Sequence, residues 1–323
     1  MLSINTQSAE IVQRMIAHAD ALGIVTHRMS NGATLVDAGV QVTGSLEAGR
    51  LFAEVCLGGL GQVQVCYVPL DQLQIPGVTV SVNHPPIACM AAQYAGWAIH
   101  KDEFFAMGSG PARVLYHGEG LFKEISYRDR SDVAVLALES SVLPTAEIAD
   151  KVAQKCDVTP DQLYLLIAPT ASLVGSVQVA ARVVETGLHK MHKIGFDINA
   201  VIAGIGACPL VPIAADNLRA IGRTNDAVLY GGRAWYTVQT DDAQIEAVIE
   251  QLPSSASRDY GKPFYDLLQQ YNGDFYQIDP LLFSPAEIFV NNVASGRTFH
   301  AGQINAALVR EALLAPDDAR GQA

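Results

Sequence analysis

Two fully apolar runs, SDVAVLALES at 131–140 and LYLLIAPT at 163–170, flank the amphipathic PTAEIADKVAQKC at 144–156. ASLVGSVQVAARVVETGLHK follows at 171–190. A strand without polar alternation must be covered on both faces, and a helix between two such strands is the usual crossover of a parallel pair. The segment predicts strand, helix, strand, helix, with Pro144 in the first turn of the first helix. The expected class is therefore α+β, mixed α/β, and no G-x-G-x-x-G opens a Rossmann unit.

Other segments add elements by the same periodicities. Ile11, Val12, Met15, Ile16, Ala19 and Leu22 recur at helical spacing before Gly23, a stop signal. GIVTHRMSNGATLVDAG reads as a hairpin whose Asn31-Gly32 supplies positive φ angles. SLEAGRLFAEVC and IACMAAQYAGW read as helices, and QVQVCYV and VTVSV as strands. IGRTNDAVLYGGR is expected to place polar residues before an apolar strand, and helices are expected over 242–252 and about 303–314, with 315–323 frayed.

At 323 residues, one core is too small a plan, so a subunit of two lobes with a substrate cleft between them is expected. The expected division is 1–124 plus 251–323 for a discontinuous lobe and 125–250 for the second. Half the residues are apolar and 17% are charged, which suits a compact fold. A net charge of −12 without a basic run argues against nucleic acid, and no apolar stretch is long enough for a membrane span. Five scattered cysteines without C-x-x-C fit a reduced, cytoplasmic protein, and apolar surface left by so many small residues suggests self-association.

Arg182 and Glu185 stand three apart among valines and alanines. On a helix they share a face, and their neighbours argue for partial burial. Desolvation raises the pKa of a buried carboxylate while a neighbouring cation lowers it, so the pair is a candidate general base or acid with its tuning partner. Gly108, Ser109 and Gly110 in MGSGPAR form a turn whose N–H groups, with Arg113, are candidates to hold an anion. Asn225 and its polar neighbours suit a heterocycle or an ordinary turn equally. Tyr260, Lys262 and Phe264 are candidates for a binding rim. His189 and His192 lack a third ligand, so no metal site is expected.

Taken in order, MGSGPAR, SLVGSVQVAARVVETGLHK, TNDAVLYGG, DYGKPFYDLLQQYNGDFYQID and LFSPAEIFVNN span most of the chain. Together they resemble methenyltetrahydromethanopterin cyclohydrolases. The resemblance implies a homotrimer of two-lobed α/β subunits, with a pterin substrate between the lobes and no metal or nucleotide cofactor. It also implies reversible hydrolysis of 5,10-methenyltetrahydromethanopterin to 5-formyltetrahydromethanopterin in one-carbon metabolism, as in formaldehyde oxidation. The family's R-x-x-E motif falls on Arg182 and Glu185. On this reading Glu185 is the base acting on water and Arg182 orients and tunes it. Gly108, Ser109, Gly110, Arg113, Gln178, Asn225, Tyr260, Lys262 and Phe264 are the expected substrate contacts. The rivals are a methenyltetrahydrofolate cyclohydrolase, usually joined to a Rossmann dehydrogenase whose glycine fingerprint is missing here, and a pterin-binding protein without turnover.

Overall fold

The computed structural model describes residues 2–273 and 277–314. Its strands are β1 Val25–Arg28, β2 Thr34–Asp37, β3 Gly61–Leu70, β4 Leu73–Asn83, β5 Trp97–Lys101 and β6 Phe104–Ser109. They continue with β7 Ala134–Glu139, β8 Leu163–Ala168, β9 Val201–Pro209, β10 Arg233–Val238, β11 Glu287–Asn292 and β12 Thr298–Gly302. Two six-stranded sheets result, ordered β1-β2-β8-β7-β6-β5 and β12-β11-β10-β9-β4-β3. The class is mixed α/β, as expected.

The first sheet has the parallel centre that its apolar runs require. β2, β8 and β7 are parallel, while β1, β6 and β5 join antiparallel. Successive residues of β7 face opposite ways into two cores. Val135 and Ala137 meet Val12, Met15 and Phe52 on one face, and Leu136 and Leu138 meet Ile148 and Val152 on the other. The first core is roofed by helices Ile4–Ala17 and Leu46–Cys56, whose Ser3 and Ser45 side chains accept from the N–H groups of Thr6 and Ala48. The second is roofed by helix Ala146–Lys155.

The second sheet reads differently because only one of its faces is covered. Along β10, Ala234, Tyr236 and Val238 are buried while Trp235 is exposed; along β11, Ile288, Val290 and Asn292 are buried. β10 and β11 are parallel, and β9 runs antiparallel to both β10 and β4.

The chain divides into two compact units, residues 1–63 with 86–178 and residues 64–85 with 179–323. This differs from the division at 124 and 250 expected from the sequence. Hydrogen bonding decides it: β7 and β8 pair with β6 and β2, while β4, early in the chain, pairs with β9.

Several elements depart from their sequence reading. The 171–190 stretch is two helices, Leu173–Ala180 and Val183–Lys193. Residues 217–231, with their expected strand, are one helix capped by Asp216. Ala220, Thr224, Ala227, Val228 and Gly231 are buried at three- and four-residue spacing, and that stripe outweighs the strand-like VLY run. Pro86–Gln93 is a π-helix. The helix expected over 242–252 is short, Asp242–Glu246, followed by a 3₁₀ turn, Ile249–Gln251. Pro144 precedes the cap residue Thr145 instead of entering the helix. The hairpin forms, but only Gly32 of Asn31-Gly32 has a positive φ, +93°. Met29 and Ala33 close the loop, and Asn31 Oδ1 accepts from the Ala33 N–H. Residues 315–323 lie outside those described.

Polar staples run through the first unit. Asn5, fully buried, donates through Nδ2 to the Pro111 carbonyl (3.0 Å) and Asp129 (2.9 Å), and its Oδ1 accepts from the Val135 N–H (3.0 Å). Leucine fills the volume but orphans a donor on β7 and an acceptor at Pro111. At about 1–3 kcal/mol for each of the two orphaned groups, Asn5→Leu is expected to lower stability by about 2–6 kcal/mol, read from chemical denaturation midpoints.

Candidate active site

Residues 179–193 bring the sequence-predicted pair, Arg182 and Glu185, into one turn. No proline or glycine marks the break between the two helices. The Arg182 N–H donates to the Val179 carbonyl (3.0 Å) in a tightened turn, and Arg182 takes the cap position with φ −81° and ψ 0°. Glu185 is the third residue of the new helix, in the first turn, where the dipole favours negative charge. Arg182 Nη1 lies 3.9 Å from Glu185 Oε2, with side-chain exposures of 12% and 6%. The expected pair therefore forms, across a helix start instead of along one helix.

Glycines let this turn sit against the second sheet. A Cβ at Gly206 would fall 2.6 Å from Val183 Cγ1, and one at Gly204 would fall 2.7 Å from Val184 Cγ1. The far end of the helix is tied down by Lys190, whose buried ammonium donates to the carbonyls of Pro253 (2.9 Å) and Leu281. Burial pushes the Lys190 pKa down to about 8, with Asp279 opposing. His189 stands one turn after Glu185, on the same face, and is half-buried. Burial, then the charges of Lys193 and His192, push its pKa down to about 4. Among the described residues no group of three His, Cys, Asp or Glu could hold a metal ion.

Of the other expected site residues, Gly108, Ser109, Gly110, Arg113 and Gln178 belong to the first unit and Asn225, Tyr260, Lys262 and Phe264 to the second. Gly108, Ser109, Gly110 and Arg113 do not form an open anion cradle. Gly108 and Ser109 are paired with Leu138 and Ala137 of β7, and the Gly110 N–H donates to the Ala92 carbonyl (2.7 Å). Arg113 is 0% exposed and donates to the carbonyls of Met90, Ala91 and Ala92 and to both oxygens of Glu119 (2.8 and 2.6 Å). The end of the π-helix leaves those carbonyls without helical donors, and Arg113 supplies them. Gln178 is buried, and its Nε2 donates to Glu139 Oε2 (3.4 Å), while the Thr170 hydroxyl donates to Glu139 Oε1.

In the second unit, Asn225 lies on helix Asn217–Gly231 and donates to the Ile221 carbonyl (2.9 Å). Tyr260, Lys262 and Phe264 gather at the end of that helix. The Tyr230 hydroxyl donates to the Lys262 carbonyl, and Asp226 accepts from the Phe264 N–H (2.7 Å). Phe264 is core, edge-on to Phe283, and not a rim residue. Tyr260 is half-buried, and the Lys262 ammonium is exposed and donates to Gln270 (3.0 Å).

Sequence reasoning missed Glu139, Lys190 and Tyr236. A lone acid ending an apolar strand was the available signal for Glu139. Lys190 and Tyr236 carried none, because their partners are backbone carbonyls distant in sequence.

The profile of the family described as Cyclohydrolase (MCH) matches residues 3–313. The methenyltetrahydromethanopterin cyclohydrolase of Methanothermobacter marburgensis is 45% identical over 315 residues, covering 96% of this chain and 98% of the relative. Those of Methanocaldococcus jannaschii and Methanococcoides burtonii are 44% and 42% identical, covering 97% and 96% of this chain and 98% of each relative.

The depressed His189 pKa has a definite sign. Between pH 6.5 and about 4 the unfolded chain takes up a proton that the native site refuses, so stability falls on acidification through that window. His189→Gln should remove on the order of 2–3 kcal/mol of this acid sensitivity, measured as the change in unfolding free energy between pH 7 and 4 relative to the parent.

Proposed function

The chain belongs to the methenyltetrahydromethanopterin cyclohydrolase family, and from that membership we propose that Glu185 is the general base of its hydrolysis and Arg182 the residue that orients it. The supporting observation is their placement: one carboxylate and one guanidinium, both largely withdrawn from water, at the start of a helix. The methenyl carbon of the substrate is an amidinium centre and is already electrophilic. It needs a positioned water and an acceptor for one proton, and no metal or nucleotide has to activate it.

In the proposed sequence, water oxygen bonds to the methenyl carbon while Glu185 takes one proton, giving a neutral carbinolamine. The C–N10 bond then breaks, N10 gains a proton, the hydroxyl proton is lost, and the formyl group stays on N5. Cation plus water thus becomes neutral formyl product plus one proton. The Glu185 carboxylate also favours the cationic substrate over the neutral product. Lys262, with its exposed ammonium, is proposed to meet the anionic tail of the pterin.

Glu185→Gln keeps shape but accepts no proton, so kcat for methenyl decay should fall about 10²–10⁴-fold while substrate still binds. Near-normal kcat would reject the assignment. Arg182→Leu should lower activity and move its pH profile. An ultraviolet assay with tetrahydromethanopterin and tetrahydrofolate substrates side by side tests the substrate class: faster decay of the folate derivative would transfer the reading to the folate reaction.

We also propose a cytoplasmic homotrimer. No helix among the described residues is long and apolar enough to cross a membrane, and none of the five cysteines forms a disulfide. Self-association is supported by the open face of the second sheet. There Ile205 (57% exposed), Trp235 (39%) and Phe289 stand in one cross-strand row, with Trp235 and Phe289 stacked at 5.3 Å. Apolar rows of this kind usually meet a partner. Light scattering should give three chain masses for the parent and fewer for Trp235→Arg; a monomeric parent would end the proposal.

A further inference from the structure

Tyr236 is fully buried on β10, paired with Gly204 of β9 and Val290 of β11. Phenylalanine would fill nearly the same volume, and an unpaired buried hydroxyl costs about 1–3 kcal/mol, so the oxygen needs a use. It donates to the Val184 carbonyl at 2.8 Å. That carbonyl belongs to the peptide unit whose nitrogen is Glu185's own. The same oxygen fills a notch one turn along: a Cβ at Gly187 would lie 2.1 Å from it. Glycine inside a helix costs about 1 kcal/mol against alanine, and here that cost leaves room for the hydroxyl.

We propose that Tyr236 is a positioning residue for the reaction, holding through Val184 and Gly187 the rotation of the turn that presents Glu185. The proposal rests on Glu185 being the base. Its leverage is geometric. With side chains about 5–6 Å from the helix axis, a rotation of about 10° carries the Glu185 carboxylate about 1 Å. A misplacement of about 1 Å can cost up to about 10²-fold in rate. The same rotation changes the 3.9 Å separation from Arg182, so the pH response should move together with the rate.

The test uses Tyr236→Phe, Glu185→Gln and their combination in the full-length protein. Tyr236→Phe should lower kcat by about tenfold with KM within about twofold, and displace the limb of the kcat–pH profile that Glu185→Gln abolishes. In the Glu185→Gln background, the same change should alter residual turnover by less than about twofold, because its effect runs through that carboxylate. Should Tyr236→Phe fail to fold, Gly187→Ala supplies the same readout, because its methyl group displaces the hydroxyl. If Tyr236→Phe does fold, Gly187→Ala should be milder beside phenylalanine than beside tyrosine. An unchanged kcat and pH profile in Tyr236→Phe, or equal losses in both backgrounds, overturns the positioning role and leaves the base assignment standing. An active Glu185→Gln overturns both.

Discussion

The close approach of helix Val183–Lys193 to bare backbone on β9 is the constraint on which the candidate site depends. Any side chain at Gly204 or Gly206 would push Val183 and Val184 off the sheet, and Glu185 follows them in the chain. Apolar contact is directionless, so two valines on a smooth track fix the height of the turn above the strands but not its rotation. Rotation needs a directional bond, and the buried Tyr236 hydroxyl makes one. Lys190, at the other end, adds donors to two carbonyls from different loops.

A common logic links these residues with Arg113 and Asn5. Each is a polar or charged side chain inside an apolar region, and each is committed mainly to backbone. Arg113 gathers three carbonyls from the end of a π-helix, and Asn5 ties a β7 N–H to the Pro111 carbonyl. Irregular backbone strands donors and acceptors that no ladder can serve, and leaving them dry costs more than burying a side chain that meets them. This is why MGSGPAR, which resembles an anion cradle when read alone, is instead the fastener of an irregular helix.

Legibility in the sequence followed the range of the interaction. The β7 and β8 strands, the β1–β2 hairpin and the helices Ile4–Ala17 and Leu46–Cys56 were legible because apolar period and turn glycines act within a few residues. Arg182 and Glu185 stood out as charges in an aliphatic stretch. The division into units was not legible, because β4 finds β9 across more than a hundred residues and nothing in either strand names the partner. Residues 226–230 were misread because Val, Leu and Tyr before two glycines look like a strand ending in a turn. The stripe that makes them helical begins upstream of Thr224 and becomes visible only over three turns.

The break before Val183 has a chemical consequence that one long helix would lack. Inside a continuous helix, an acid at 185 would lie away from the positive end of any helix dipole. Restarting the helix brings the positive end of its dipole beside Glu185, a stabilisation of about 0.3–1 kcal/mol for negative charge, more when partly buried. Burial opposes the same charge, and Arg182 at 3.9 Å supplies the counterweight. Helix start, burial and Arg182 thus act together on one carboxylate, the group proposed above as the base.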